Sequence, residues 1–424
     1  MSLIERDKQF VWHPFTQHQT AGAPLGIVRG EGVFLIDQAG KKYIDANSSW
    51  WVNTHGHGHP HLGKALQEQF EMLDHVIFAG VTHPKAVELS ERLVGYLPNN
   101  FQKVFFSDNG STAIEVALKM AFQFYFNKNE KRNRVLAMHG AYHGDTFGAM
   151  SVGQRDLFNK PFEPFFFDVD YLDFPTKDRE KELLQHAEAL LSSGQFAALI
   201  VEPIIQGAAG MQMYSVDFLD QLTKLAKRFH TLVIFDEVMT GFGRTGKMFA
   251  MDDCTEKPDI VALSKGLTAG ILPMGVTVTS EALFQSFLSD QTARGFLHGH
   301  SYTGNPLACA IGCASLDLFD QPETWTAIAQ ISAWNQEFSN ELNARKDVEN
   351  VRQRGTILAF DVRLPEGNSY FSTLRDQAYA YFLEHGVLLR PLGNVIFINP
   401  PYCISADEYT KLRKVIVAFL DQLA

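Results

Sequence analysis

Three short stretches of this chain carry residue types suited to chemistry. In Phe235-Asp236-Glu237-Val238, acids end an apolar run, TLVIFDE (231–237). In Leu263-Ser264-Lys265-Gly266, a lysine ends another, DIVALS (259–264). A charged residue at the C-terminal end of a buried strand projects into the crevice where open α/β sheets bind ligands. A lysine there is partly stripped of water, which lowers its pKa and frees its lone pair for Schiff-base chemistry. Either feature alone is more often an ordinary strand-end charge. Together, at successive strand ends 265 − 236 = 29 residues apart, they supply the carboxylate and amine that pyridoxal phosphate requires, the acid keeping the pyridine nitrogen protonated. The third stretch, Ser107-Asp108-Asn109-Gly110-Ser111-Thr112, opens a helical period in which Ala113, Ile114, Ala117, Leu118 and Ala121 share one face. Its Gly-Ser-Thr turn offers free N–H groups at the positive end of a helix dipole, a phosphate site, although a plain N-cap has the same composition.

Other patterns point elsewhere. Gly241-Phe242-Gly243-Arg244-Thr245-Gly246-Lys247 has the G-x-x-x-x-G-K spacing of a nucleotide-binding loop, which makes a P-loop protein the rival from another functional class. Met248 stands where Ser or Thr would ligate magnesium, and Asp236-Glu237 interrupt the turn from strand to helix. His55, His57, His59 and His61 alternate, which on a strand would suggest zinc. Gly56, Gly58 and Pro60 disfavour such a strand, so a loop packed near Trp50-Trp51 and no metal are expected. Cys254, Cys309, Cys313 and Cys403 form no CxxC pair; Cys309 and Cys313 read as buried thiols, and such sparse use fits a reducing compartment. The run 128–134 (KNEKRNR) reads as a solvated connection.

The elements that must position these residues alternate in type. Strands are expected at 103–108, 134–138, 197–203, 231–237, 259–264 and 275–280, with helices from about Ser111 and near 216–229. Short apolar strands alternating with helices imply a mainly parallel α/β sheet covered on both faces. Residues 27–36 and 41–46 read as a two-stranded hairpin turning at Asp37-Gln38-Ala39-Gly40. From about 310 a long helix precedes a mixed stretch with strands TILAFDV and NVIFINP. The expected division is a small α+β domain from 1–50 plus 310–424 and a large α/β domain over 51–309. The 424 residues carry 37 Lys and Arg against 48 Asp and Glu, a net charge of −11, which argues against nucleic acid and anionic membranes as partners. The N-terminus MSLIERDKQFVWHPF has no apolar signal core, so a cytoplasmic protein is expected. The 34 Phe predict large apolar cores or interfaces.

The segments SDNGSTAIEVALKM, GAYHGDTFGAMSV, IVEPIIQGAAGM, VIFDEVMTGFGRTGK, ALSKGLTAGILPMG and HGHSYTGNPLACA follow one another in the order of the class III aminotransferases, which this chain resembles nearly end to end. The resemblance implies the fold-type-I architecture, pyridoxal 5'-phosphate and a homodimer with shared active sites. It implies that Lys265 carries the cofactor and shuttles the proton, and that Asp236 pairs with the pyridinium. Val238 and Tyr142 would flank the ring, with Glu202 nearby. Gly110 and Ser111 would hold the phosphate, joined by Ser301 from a second subunit. Arg390 would hold the substrate carboxylate, Trp50, Trp51, Tyr142 and Phe15 would line the substrate pocket, and Gly299 would allow close backbone approach. Arg244 would shape the channel, and His143 would position rather than catalyse. WHPFTQ, Trp50-Trp51 and LLRPLGNVIFINPPY point within the family to biotin synthesis. There the acceptor is 8-amino-7-oxononanoate and the donor is S-adenosylmethionine or, in some members, lysine. Phe15 stands where close relatives often carry Tyr and leaves both donors open, while Trp50-Trp51 favours S-adenosylmethionine. Another class III enzyme acting on an ω-amino acid is the rival within the family. Two substrates sharing one site imply ping-pong kinetics.

Overall fold

A computed structural model describes residues 1–155, 158–364 and 373–423. Its centre is a seven-stranded sheet in the order Phe101–Ser107, Gly275–Ser280, Ile260–Leu263, Leu232–Asp236, Phe196–Val201, Arg134–Met138, Val169–Leu172. Gly275–Ser280 pairs antiparallel with both neighbours; the pairs from Ile260–Leu263 onward are parallel, giving the expected mainly parallel sheet. Alternation explains why the strands are apolar throughout. Ile234, Ile260 and Ala262 pack with Ala113, Ile114 and Ala117 of helix Gly110–Asn127. Val233, Phe235 and Leu263 pack in the opposite core with Phe218, Leu219 and Leu222 of helix Val216–Arg228. Neither face meets water, so both carry apolar side chains. The register sets Asp236 beside Ala262, which brings the ends of two parallel strands, and the residues that follow them, to one edge of the sheet.

The chain ends depart from expectation in detail. Residues 27–36 are not one strand: Ile27–Glu31 and Phe34–Asp37 fold back on each other around Gly32, whose φ of +57° favours glycine. Phe34–Asp37 then pairs with Lys42–Asp45 through the expected turn, where the Asp37 carboxylate accepts from the Ala39 and Lys41 N–H groups. The C-terminal strand Val387–Leu388 joins this sheet parallel to Lys42–Asp45. A further sheet comprises Val348–Arg354, Ile357–Val362 and Val395–Ile398. The expected long helix is two, Pro306–Phe319 and Pro322–Asn343, because Pro322 lacks the N–H needed to continue the first. Within 128–134, Arg132 is not solvated: its guanidinium lies over the Tyr125 ring at 4.7 Å and donates to the Phe229 carbonyl at 3.1 Å.

Between sheet and chain ends lies a strained turn. Ser48, Ser49 and Trp51 have φ of +50°, +60° and +64°, a left-handed run that costs about 1–3 kcal/mol per residue unless its surroundings impose it. The buried Asp45 carboxylate accepts from the Ser49 N–H (2.7 Å), the Ser49 hydroxyl (2.8 Å) and His57 Nε2 (2.9 Å). Ser48 donates its hydroxyl to the Asn399 carbonyl at 2.7 Å. From beneath, Arg244 donates to the carbonyls of Trp51 (3.3 Å), Asn53 (3.0 Å) and Pro400 (3.1 Å) and to Asn399 Oδ1 (3.0 Å). Arg244 is only 1% exposed, so any influence it has on the channel is indirect, through the Trp51 turn that it braces. Its own loop forms turns after the strand, closed by the Gly241 N–H on the Glu237 carbonyl, and Lys247 starts no helix among the described residues. That removes the helix N-terminus a P-loop needs. The histidines point apart: His55 packs edge-on against Phe319, His57 reaches Asp45 and His61 reaches Asp317. No helix of the described residues is long and apolar enough to cross a membrane.

Arg244→Met strands the carbonyls of Trp51, Asn53 and Pro400 in a buried site, Asn399 Oδ1 keeping the Thr356 hydroxyl, and should lower unfolding free energy by about 3 kcal/mol in urea titration. Arg244→Lys should not restore it, because an ammonium cannot fork across separate carbonyls.

Candidate active site

Strand Ile260–Leu263 delivers Lys265 through a fixed turn. The Ser264 hydroxyl donates to the Met274 carbonyl at 2.6 Å, and Lys265 itself takes a φ of +45°. A side chain at Gly266 would meet Phe242 Cβ at 2.8 Å, so the turn needs glycine to pack against the Arg244 loop. Lys265 Nζ lies 4.9 Å from the Trp51 ring centroid. Desolvation pulls the amine below the ordinary lysine pKa; Asp236 and Glu202 oppose this, and Arg244 adds to it. The result is an amine more readily neutral than a surface lysine.

Asp236 ends its strand with both carboxylate oxygens engaged. Oδ1 accepts from the Val238 N–H at 3.0 Å and Oδ2 from His143 Nδ1 at 2.7 Å. The carboxylate can only accept, so the imidazole hydrogen sits on Nδ1. His143 Nε2 is buried without a protein partner among the described residues. Glu202 closes the adjacent wall, accepting from the Tyr142 N–H through Oε1 and the Gly207 N–H through Oε2, both at 2.9 Å. Burial first, and Asp236 second among the raising influences, push its carboxyl up to about 7, against the opposing pull of His143. The Tyr142 hydroxyl donates to Asp145 at 2.8 Å, and desolvation with the Asp145 charge raises its pKa.

Helix Gly110–Asn127 starts at the same edge. Asn109 Oδ1 caps the Thr112 N–H at 3.0 Å, and Thr112 Oγ1 returns a bond to the Asn109 N–H at 3.1 Å. A Cβ on Gly110 would lie 2.7 Å from Val238, and one on Gly144 would strike Ser111 Oγ at 2.1 Å. Both glycines therefore let a helix start and a loop close on Val238 and Ser111. The Asp145 N–H donates to Ser111 Oγ at 3.2 Å.

Lys265, Asp236, Val238, Gly110, Ser111, Tyr142, Trp50, Trp51, Arg390 and Phe15 all line one cavity of about 1220 Å³, as does Glu202. Phe15 packs on Trp50 at 5.4 Å and faces Phe158 at 6.4 Å. The Arg390 guanidinium lies 5.6 Å from the Trp50 ring centroid, and the Arg390 N–H donates to Asn47 Oδ1 at 2.7 Å. Neither Gly299 nor Ser301 is among the described residues lining this chain's cavity. Sequence reasoning missed Asp45, Asn47 and Asn399, which hold the walls. Their signal was weak: Asp45 and Asn399 are polar residues within the apolar runs KYIDA and NVIFINP, and Asn47 directly follows the first. A carboxylate, an amine and a helix start opening on one cavity form a receptacle for a flat, phosphorylated ring, with a guanidinium left over for a second anion.

Residues 15–420 match the family described as aminotransferase class-III. The chain is 44% identical to a Synechococcus elongatus protein named adenosylmethionine-8-amino-7-oxononanoate aminotransferase, covering 97% of this chain and 99% of that one. A Geobacter sulfurreducens protein of the same name is 40% identical, covering 96% and 94%. The crystal structure of the Methanocaldococcus jannaschii protein of that name superposes with a TM-score of 0.94 at 34% identity, covering 99% of this chain and 98% of that chain. A Pseudomonas jessenii omega transaminase solved in complex with PMP superposes at 0.92 with 26% identity, covering 100% and 98%.

The raised Glu202 carboxyl gives a signed pH effect. Between the ordinary 4.5 and about 7 the folded chain holds a proton that the unfolded chain has released, so this group's contribution to stability falls as pH rises through that window. Melting temperatures of wild type and Glu202→Gln, followed across it, should show wild type losing stability relative to the variant as pH rises.

Proposed function

This chain belongs to the class III aminotransferases, and from that premise we propose that it aminates 8-amino-7-oxononanoate to 7,8-diaminononanoate in biotin synthesis, using pyridoxal phosphate. The observation that carries this reading is the shared cavity: Lys265, Asp236 and the Gly110 helix start open on one end, and Arg390 on the same space beside Trp50. Pyridoxal phosphate supplies an electron sink that lets the α-proton of an amine leave. Lys265 Nζ would hold the cofactor between turnovers and, once displaced, would carry the proton between the substrate carbon and the cofactor within each half-reaction. Asp236 would keep a proton on the pyridine nitrogen, and His143 Nδ1 holds that carboxylate in line. The Gly110 and Ser111 N–H groups would bind the phosphate, and Val238 and Tyr142 would hold the ring. Arg390 binds the acceptor carboxylate with its guanidinium fork. Trp50 and Phe15 exclude water from the aliphatic chain.

Gly299 and Ser301, which do not line their own chain's cavity among the described residues, then serve the cavity of a second copy in a homodimer. We read residues 1–50 with 310–424 as the small domain and 51–309 as the large one, and the enzyme as cytoplasmic. S-adenosylmethionine is the favoured donor, supported by the names of the relatives and by Trp50-Trp51. Lysine is the second reading, favoured by Phe15, which lacks a phenolic donor. Incubating the holoenzyme and 8-amino-7-oxononanoate with each donor separately, and weighing the product, tests both; diaminononanoate from neither donor refutes the function.

Lys265→Ala should lower turnover by about a thousandfold or more. Borohydride should fix the cofactor on wild type but not on this variant. Arg390→Ala should raise the acceptor KM about 30-fold while slowing the donor half-reaction far less, measured by single-turnover absorbance.

A further inference from the structure

One wall of the cavity is held by an ion pair that the reaction does not use, between Arg352 behind the wall and Asp361, which itself reaches the lining. Residues 207–212 run along the cavity, with Ala208, Ala209, Gly210 and Gln212 facing it. At one end a Cβ on Gly207 would lie 3.3 Å from the ring of Trp51, the indole beneath Lys265. At the other a Cβ on Gly210 would lie 2.9 Å from Val395, five residues beyond Arg390. The segment therefore runs from the indole beside Lys265 to the strand that follows Arg390. Its far half is strained, with φ of +85° at Gly210 and +56° at Met211. Arg352 holds it there: Nε donates to the Gly210 carbonyl at 3.1 Å and to the Met211 carbonyl at 3.0 Å. Arg352 is in turn paired with Asp361 at 2.7 Å, their side chains 9% and 3% exposed. Asp361 also accepts from Asn350 Nδ2 at 2.9 Å and lies opposite Val395 in the sheet. So the ion pair ties the wall to the strand that follows Arg390.

We infer that Arg352, held by Asp361, positions the 207–212 wall as a length gauge, fixing the span between Lys265 and Arg390 so that a long oxo acid with a terminal carboxylate reaches both. Arg352 is a positioning residue, since it acts only through main-chain carbonyls. The inference rests on the function proposed above and names what selects the acceptor. Wall displacement of an ångström is enough to cost a well-positioned substrate about tenfold or more.

The test uses holoenzyme of wild type, Arg352→Met, Arg352→Lys and Ala208→Leu. The last narrows the wall without touching the ion pair and serves should Arg352→Met fail to fold. The readouts are the absorbance spectrum of the bound cofactor, kcat, and KM for 8-amino-7-oxononanoate and for the donor. The expected result is an acceptor KM raised about tenfold in each variant that folds, with cofactor spectrum, kcat and donor KM within about twofold of wild type. Arg352→Lys should behave like Arg352→Met, because an ammonium cannot fork over two carbonyls. Acceptor and donor KM rising together, kcat falling at unchanged acceptor KM, or variants matching wild type would each overturn the gauge. Wild type that does not aminate the acceptor refutes the proposed function instead, before any variant is compared.

Discussion

Keeping one amine partly out of water beside carboxylates is the constraint on which the rest of this structure depends. Desolvation favours neutral Lys265, while Asp236 and Glu202 favour the charged form. The balance holds only if each carboxylate is fixed by donors of its own, because an unpaired buried charge would protonate or draw in water. Each is. Asp236 is held by His143 and the Val238 N–H, Glu202 by two main-chain N–H groups. Those donors come from different connections at one edge of the sheet, so the parallel register that aligns the strands also assembles the polar site.

The second tier of support is Arg244, a cation that pairs with no carboxylate among the described residues. Its partners are carbonyls and one amide, so it acts as a scaffold for main chain that no helix or sheet would hold. Burial lowers its pKa, yet a guanidinium keeps its charge where a lysine would lose it. Its charge also disfavours the protonated form of Lys265, so the residue bracing the Trp51 turn contributes to tuning the amine above it. Fold and electrostatics are here the work of one side chain.

The central sheet was legible in the sequence because both of its faces are buried: uninterrupted runs such as VIFD and IVAL have one explanation each. Asp236 and Lys265 stood out for the same reason, as charges that end those runs. The chain ends were harder. Gly32 looked like a strand interior because the apolar run Val33-Phe34-Leu35-Ile36 follows it, and its left-handed backbone shows it to be a corner. The break at Pro322 could have been read, since proline marks a first turn as readily as a kink. Arg132 was hidden in a charge run in which Lys128, Glu130 and Lys131 are exposed; what distinguishes it is Tyr125, seven residues away on the preceding helix, whose ring its guanidinium covers. Arg244 lay within a misleading motif. Its role depends on Asn399 and Pro400, more than 150 residues distant, and no local pattern encodes such a contact.

The phenylalanines complete the argument about water. Phe235, Phe242, Phe249 and Phe319 are fully buried, and Phe242 and Phe319 pack around the Arg244 loop and His55. Phe15, Phe158 and Phe397 line the cavity instead. Phe15 reaches Trp50 through a left-handed backbone of its own, φ +51°, and keeps 48% of its surface exposed. A ring held that way contributes apolar area and no hydrogen bond. The middle of the cavity thus presents aromatic faces, with Lys265 and Arg390 lining the same space, and apolar walls raise the cost of charging an amine. The same aromatic lining that suits an aliphatic chain therefore contributes to the desolvation that makes Lys265 reactive.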